Sequence, residues 1–172
     1  MREIRWHARA GQGAKTASQL LASAALREGR SVQAFPEYGP ERRGAPLRAY
    51  TRIDEKPIRR HDSITRPDVV VVLEPSLLRE IDVTEGLTEG GLVLVNADEA
   101  PELDGAEVVA VPATRIAAAQ GSTFANLVMV GALAARLGGP DGVTVADAAE
   151  ELLGTKAKGA REAVLEGWRW PS

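Results

Sequence analysis

Cysteine is absent from this 172-residue chain. That excludes thiolate-held iron–sulfur clusters, thiol nucleophiles and disulfides within it, and it fits a reducing cytoplasm; any redox centre the chain serves belongs to a partner. Aromatic residues are scarce at 4%. A nucleic-acid surface interleaves basic clusters with exposed rings, and neither that pattern nor a nucleic-acid motif occurs, so no nucleic-acid partner is expected. Long apolar runs are lacking as well. The longest, near residues 124–137, is too short and too interrupted to span a bilayer, and the first residues alternate (Arg2, Ile4, Trp6) without an apolar signal core. A soluble cytoplasmic protein with no membrane contact is expected. Histidine occurs only at His7 and His61, and two histidines without cysteine or regular ligand spacing make no metal site.

What is present fits one globular domain over residues 1–172, long enough to bury a core without disulfides or metals. The net charge of −3 conceals an asymmetry: residues 1–66 hold 14 Lys/Arg against 7 Asp/Glu, and residues 67–172 hold 7 against 17. The N-terminal part is therefore the side suited to an anionic ligand or an acidic partner surface, unless the charges are ordinary solvated faces.

Residues 3–7 alternate like a strand, residues 10–13 break the pattern, and from Ala14 apolar residues recur at Ala17, Leu20, Leu21, Ala24 and Ala25 up to Gly29. That is strand, glycine turn, helix. Residues 31–35 and 47–53 (L-R-A-Y-T-R-I) read as further strands. The run V-V-V-V-L at 69–73, bounded by prolines, has the look of a central strand buried on both faces, and L-V-L-V at 92–95 and V-V-A-V at 108–111 repeat it. Helical spacing appears at 76–81, 114–119, 123–137, 145–153 and 158–168. The alternation predicts an α/β fold: a three-layer, Rossmann-like, mainly parallel sheet with helices on both faces, and a helical C-terminal appendage over about 141–172.

The turn A-R-A-G-Q-G-A-K-T at 8–16 resembles a nucleotide loop and fails both patterns. A Walker loop needs lysine directly after its last glycine, whereas Ala14 separates Gly13 from Lys15. A dinucleotide fingerprint needs a third glycine where Thr16 stands and an acidic residue about 20 positions on, near Gln33 and Ala34. The setting still suits an anion, because free amides and the positive end of a helix dipole meet the Lys15 and Thr16 side chains. Gly11, Gln12, Gly13, Lys15 and Thr16 are thus candidates for binding a phosphate or other small anion. The alternative is a tight turn that only packs the helix.

A second loop, F-P-E-Y-G-P-E-R-R-G-A-P at 35–46, packs Glu37, Glu41, Arg42 and Arg43 among three prolines and two glycines. Rigid turns hold these groups for contact with a partner, and the arginines can fork onto a carboxylate or phosphate; a salt-bridged surface turn is the other reading. Elsewhere, Glu74 stands at the strand edge where α/β proteins bind ligands, or caps the following helix. Asn126 is suited to satisfying buried backbone, and Trp168 and Trp170 to docking, on the domain or on a partner.

Together these stretches resemble the gamma subunit of the 2-oxoacid:ferredoxin oxidoreductases, the family of the pyruvate and branched-chain 2-ketoacid enzymes. The resemblance is carried by G-Q-G at Gly11–Gly13 with Thr16-Ala17, the block 35–46, Thr51-Arg52-Ile53, Pro57-Ile58-Arg59, Pro67-Asp68, V-T-E-G-L at 83–87, Gly91, Asn96, and Asn126 with Gly131-Ala132. It implies a subunit of a complex that oxidises a 2-oxoacid, releases carbon dioxide, forms an acyl-coenzyme A and passes two electrons to ferredoxin. It further implies alpha, beta and delta partner subunits that hold thiamine diphosphate, magnesium and the iron–sulfur clusters, with no cofactor and no catalytic residue assigned to this chain. Its own part would be assembly, through the basic half with Glu37, Glu41, Arg42 and Arg43 near the active-site mouth, and a contact of the Gly11–Thr16 turn with coenzyme A. Where the family commonly reads G-R-G-G-Q-G, Ala8 and Ala10 replace two glycines around Arg9, which disfavours positive φ there. A free-standing nucleotide- or anion-binding regulatory module, or a ligand-free adaptor, are the alternatives.

Overall fold

A computed structural model of the chain describes residues 1–37 and 44–171. The elements follow in the order β1 (Arg2–Arg9), α1 (Ala14–Arg27), β2 (Ser31–Pro36), β3 (Pro46–Asp54), β4 (Val69–Val72), a 3-10 turn (Pro75–Arg79), β5 (Leu92–Asn96), β6 (Glu107–Val111), α2 (Ala113–Ala119), α3 (Ala125–Leu137), α4 (Gly142–Leu153), a second 3-10 turn (Gly154–Lys156) and α5 (Ala160–Arg169). The strands form one sheet ordered β2-β3-β1-β4-β5-β6. β1, β4, β5 and β6 run parallel, with Trp6 opposite Val71 and Val71 opposite Leu94, whereas β3 lies antiparallel between β1 and β2. The α/β fold, the mainly parallel sheet and the helical C-terminal region are those the sequence pattern predicts.

β4 is buried at all four valines, as a strand covered on both faces must be. The expectation of helices on both faces is not met among the described residues, and the two covers are unequal. All five α-helices pack on one face, where Ile4, Trp6, Ala8, Val69, Val71 and Leu94 meet Leu20 and Leu21 of α1, Leu127 and Met129 of α3, Val145 of α4 and Val164 of α5. On the other face Val70, Val72, Val93 and Val95 are covered by Leu78 of the first 3-10 turn, by Ile81, Val83 and Leu87, and by Leu103 and Ala106 of the next connection. Pro75 and the glycines Gly86, Gly90 and Gly91 punctuate the β4–β5 connection, so it makes one tight turn and no longer helix.

The helical region from 141 onward shares the core of the sheet: Val145, Ala146, Ala149, Ala160, Ala163 and Val164 are fully buried in the cluster that holds Trp6. Its attachment is close. A Cβ added at Gly131 of α3 would lie 2.0 Å from the Val164 carbonyl oxygen, and one at Gly167 of α5 would lie 2.0 Å from that of Val128, so the two helix backbones touch where both lack a side chain. Trp168 is a docking anchor onto its own chain, its indole resting where a Cβ on Gly142 would otherwise sit, 2.7 Å from the ring. Among the described residues no helix is long and apolar enough to cross a membrane.

Candidate functional site

From β1 the chain turns through α1 to β2 on one side of the sheet; from β4 it proceeds to β5 and β6 on the other. The strand order therefore reverses between β1 and β4, and α/β folds bind ligands in the crevice beyond the carboxyl ends of the strands at such a point. A cleft of about 470 Å³ opens there, lined by Gly11 and Gln12 after β1, Glu74 and Pro75 after β4, Asn96 at the end of β5 and Asp98 after it, Thr114 and Arg115 after β6, and Thr123 and Asn126 at the start of α3.

The glycine turn forms one wall. Gly11 and Gly13 both adopt positive φ, 93° and 79°. At Gly13 a Cβ would also lie 2.5 Å from Asn126 Nδ2, which donates to the Gly13 carbonyl oxygen at 3.3 Å. The glycine thus makes room for Asn126, which satisfies backbone as expected and ties the starts of α1 and α3 together. Ala8 and Ala10 bring no strain, since no residue other than glycine has positive φ among the described residues; Ala8 is instead fully buried in β1. No side chain caps α1, and its first turn contains no acid, so its leading amides keep the anion-binding character inferred from sequence. Gly11 and Gln12 line the cleft, whereas Lys15 and Thr16 stand outside its lining, Lys15 exposed and Thr16 half-buried.

Gln12 is locked rather than free. Its Oε1 accepts from the Arg9 backbone N–H at 2.7 Å, and its Nε2 donates to Glu74 Oε2 at 2.5 Å. The other Glu74 oxygen accepts from the Ser76 N–H at 3.1 Å, capping the 3-10 turn. Burial alone would raise the Glu74 carboxyl, but the bonds from Gln12 and Ser76 and the charge of Arg9 hold it below its ordinary value. Asn96 is occupied in the same way, donating to the Leu73 carbonyl oxygen and to Thr114 Oγ1 while accepting from the Thr114 N–H. Arg115 pairs with Asp98 at 3.0 Å on open surface. The polar groups around the cleft are thus engaged with one another and with backbone, built to shape and bind.

Of the second loop, Glu37 is described and exposed. Its N–H donates to the Arg48 carbonyl oxygen at 2.9 Å and its carboxylate accepts from Tyr50 Oη at 2.6 Å; burial, then the Glu37 bond, pushes the Tyr50 hydroxyl up to about 12. Glu41, Arg42 and Arg43 lie outside the described residues. The far foot of the loop is fixed by Arg9, whose Nη1 donates to the Gly44 carbonyl oxygen at 2.8 Å, and by the Ala10 N–H on the Ala45 carbonyl oxygen.

The sequence reading passed over a polar layer beneath these feet. Arg5, His7 and Arg52 are buried on the sheet face opposite the α-helices. Arg52 pairs with Glu3 at 2.7 Å and lies over the Phe35 ring. Arg5 donates from Nε to His7 Nε2 at 3.0 Å and from Nη2 to the carbonyl oxygens of Val83 and Glu85. His7 therefore carries its proton on Nδ1, which has no partner among the described residues. Burial, then the charges of Arg5 and Arg48, lowers its pKa to about 3. The alternation of β1 and β3 gives no sign that these polar positions are covered. His61 is exposed in the connection after β3.

Over residues 3–169 the chain matches the sequence profile of the family described as pyruvate ferredoxin/flavodoxin oxidoreductase. It is 49% identical over 176 residues to the pyruvate/ketoisovalerate oxidoreductases common subunit gamma of Thermococcus litoralis, covering 95% of each chain. To the subunit of the same name from Thermococcus kodakarensis it is 62% identical over 102 residues, a stretch of 59% of this chain and only 55% of that relative. The crystal structure of pyruvate oxidoreductase subunit PORC from Thermotoga maritima superposes with a TM-score of 0.81 at 37% identity, covering 97% of this chain and 94% of that one.

Proposed function

Because the chain belongs to the pyruvate ferredoxin/flavodoxin oxidoreductase family, we propose that it works as the gamma-type subunit of a complex that oxidatively decarboxylates a 2-oxoacid with coenzyme A and ferredoxin. Its part is assembly and coenzyme A access, and the chemical centre resides in alpha, beta and delta-type partners. One observation carries this: the cleft at the strand-order reversal has a built wall of hydrogen-bonding groups, yet of its carboxylates Glu74 caps a turn and holds the Gln12 amide, and Asp98 pairs with Arg115. Such a site binds and orients. Without cysteine the chain supplies no cluster ligand, so electrons pass through partners.

In this reading the cleft receives part of coenzyme A against Gly11 and Gln12. Gly13 shapes the turn, and Lys15 and Thr16, in the first turn of α1, offer the dipole-assisted cation and hydroxyl for a phosphate leaving it. Glu37 with Glu41, Arg42 and Arg43 forms the contact with the partner subunits, where guanidinium forks meet carboxylates. The test is calorimetry of coenzyme A, ATP and NAD(P) on the chain and on the assembled complex. Coenzyme A binding by the complex that weakens on Lys15→Ala supports the reading. Tight binding of ATP or NAD(P) by the chain alone would instead favour a free-standing nucleotide module.

A further inference from the structure

Arg9 belongs to a closed circuit of hydrogen bonds. Its backbone N–H holds Gln12, Gln12 holds Glu74, Glu74 accepts from the Ser76 N–H, and the Ser76 hydroxyl accepts from Arg9 Nη2 at 3.0 Å. The same guanidinium reaches outward in two more directions: Nη1 to the Gly44 carbonyl oxygen and Nη2 to the Glu80 carboxylate. Its side chain is one-quarter exposed, so it lies at the rim and not in the core. Three segments are joined at this one residue: the glycine turn of the cleft through its backbone N–H, and the 3-10 turn after β4 and the foot of the second loop through its guanidinium. No other side chain among the described residues bonds both the glycine turn's neighbour Ser76 and the loop foot at Gly44.

Resting on the reading of the cleft as a coenzyme A contact, we propose that the Arg9 guanidinium is a positioning group, acting through Ser76 and Gly44 to tie the Gln12–Glu74 wall of the cleft to the base of the partner-facing loop. A planar fork with five N–H donors can serve a carbonyl, a hydroxyl and a carboxylate at once. A lysine ammonium on a flexible stem keeps the charge opposite Glu80 but cannot hold the three directions together. Loss of the fork releases the Ser76 hydroxyl and the loop foot together while the backbone bond to Gln12 stays, so the cleft wall loses its tie to the loop and chemistry in the partners is untouched.

The test uses the assembled complex with Arg9→Ala, Arg9→Lys and, as control, Arg27→Ala, whose pairing with Glu151 lies between α1 and α4. Both Arg9 variants are expected to raise the coenzyme A KM about tenfold, the scale of a lost charged hydrogen bond, with kcat within about twofold and the control unchanged. Amide hydrogen exchange on the full chain is expected to quicken together at residues 44–48 and 76–80 in both variants, with α5 unaffected. An unchanged KM, full restoration by lysine, or faster exchange confined to residues 76–80 overturns the proposal. If Arg9→Ala does not fold, Arg9→Lys carries the same readouts. A complex assembled without this chain that retains the wild-type coenzyme A KM overturns instead the underlying reading, and shows this before any variant is made.

Discussion

Single side chains set the pH response and the local cost of change. His7 is neutral and buried with a pKa near 3 in the folded chain against 6.5 when unfolded, so below pH 6.5 the unfolded state binds the extra proton. Its contribution is complete above pH 6.5 and falls as the pH drops toward 3, by up to about 1.4 kcal/mol per pH unit. Urea unfolding between pH 4.5 and 6.5 is expected to show a shallower slope for His7→Gln than for wild type; equal slopes would contradict the tautomer and burial assigned to His7. Arg52→Ala leaves Glu3 facing a covered layer without its close partner and is expected to destabilise by about 3 kcal/mol in the same assay. None of this was legible in the sequence. Period-2 alternation distinguishes apolar from polar positions in β1 and β3, but whether a polar face meets water depends on segments such as Val83–Glu85, which arrive from far along the chain. Glu74 was legible, because a carboxylate ahead of Pro75 and Ser76 carries a capping signal in its immediate neighbours.

Whole elements were read more surely, since periodicity sums many weak preferences. The expected strands occur, and so do the expected helices apart from 76–81, which forms a 3-10 turn; ends move by one to three residues, because β-branched runs and helical spacing are local properties. What local pattern could not show was the place of β3, inserted antiparallel between β1 and β2, and the gathering of all five α-helices on one face. The contact of α3 with α5 explains two glycines that helix propensity alone disfavours by about 1 kcal/mol each relative to alanine. Gly131 and Gly167 remove side chains where carbonyls of the facing helix lie 2.0 Å from the missing Cβ positions. Gly131→Ala and Gly167→Ala are each expected to destabilise by about 3 kcal/mol, reversing the propensity gain. The double variant should lose less than twice that, because either substitution already separates the same two helices. Thermal and denaturant unfolding of the three variants checks this, and a stabilised Gly131→Ala would contradict the close approach.

At the scale of the whole molecule, a cleft lies at one end of a mainly parallel sheet and a charged loop is rooted beside it. Absence of cysteine and the pairing of G-Q-G with E-R-R-G-A-P pointed to the family from sequence. The circuit through Arg9 that joins those two motifs needed the fold, since its members lie up to 71 residues apart. If the loop is the partner contact, Arg42→Ala should raise the dissociation constant of the chain from its complex about tenfold, while its unfolding midpoint stays unchanged; unchanged affinity would remove Arg42 from the interface. The central claim is that this chain is a required subunit without its own chemical centre. Reconstituting the partner subunits with and without it, and following 2-oxoacid-dependent ferredoxin reduction at saturating coenzyme A, tests that claim most directly. The account predicts activity only when the chain is present, and none from the chain alone. A stable complex of the partners that is fully active without it would contradict the account.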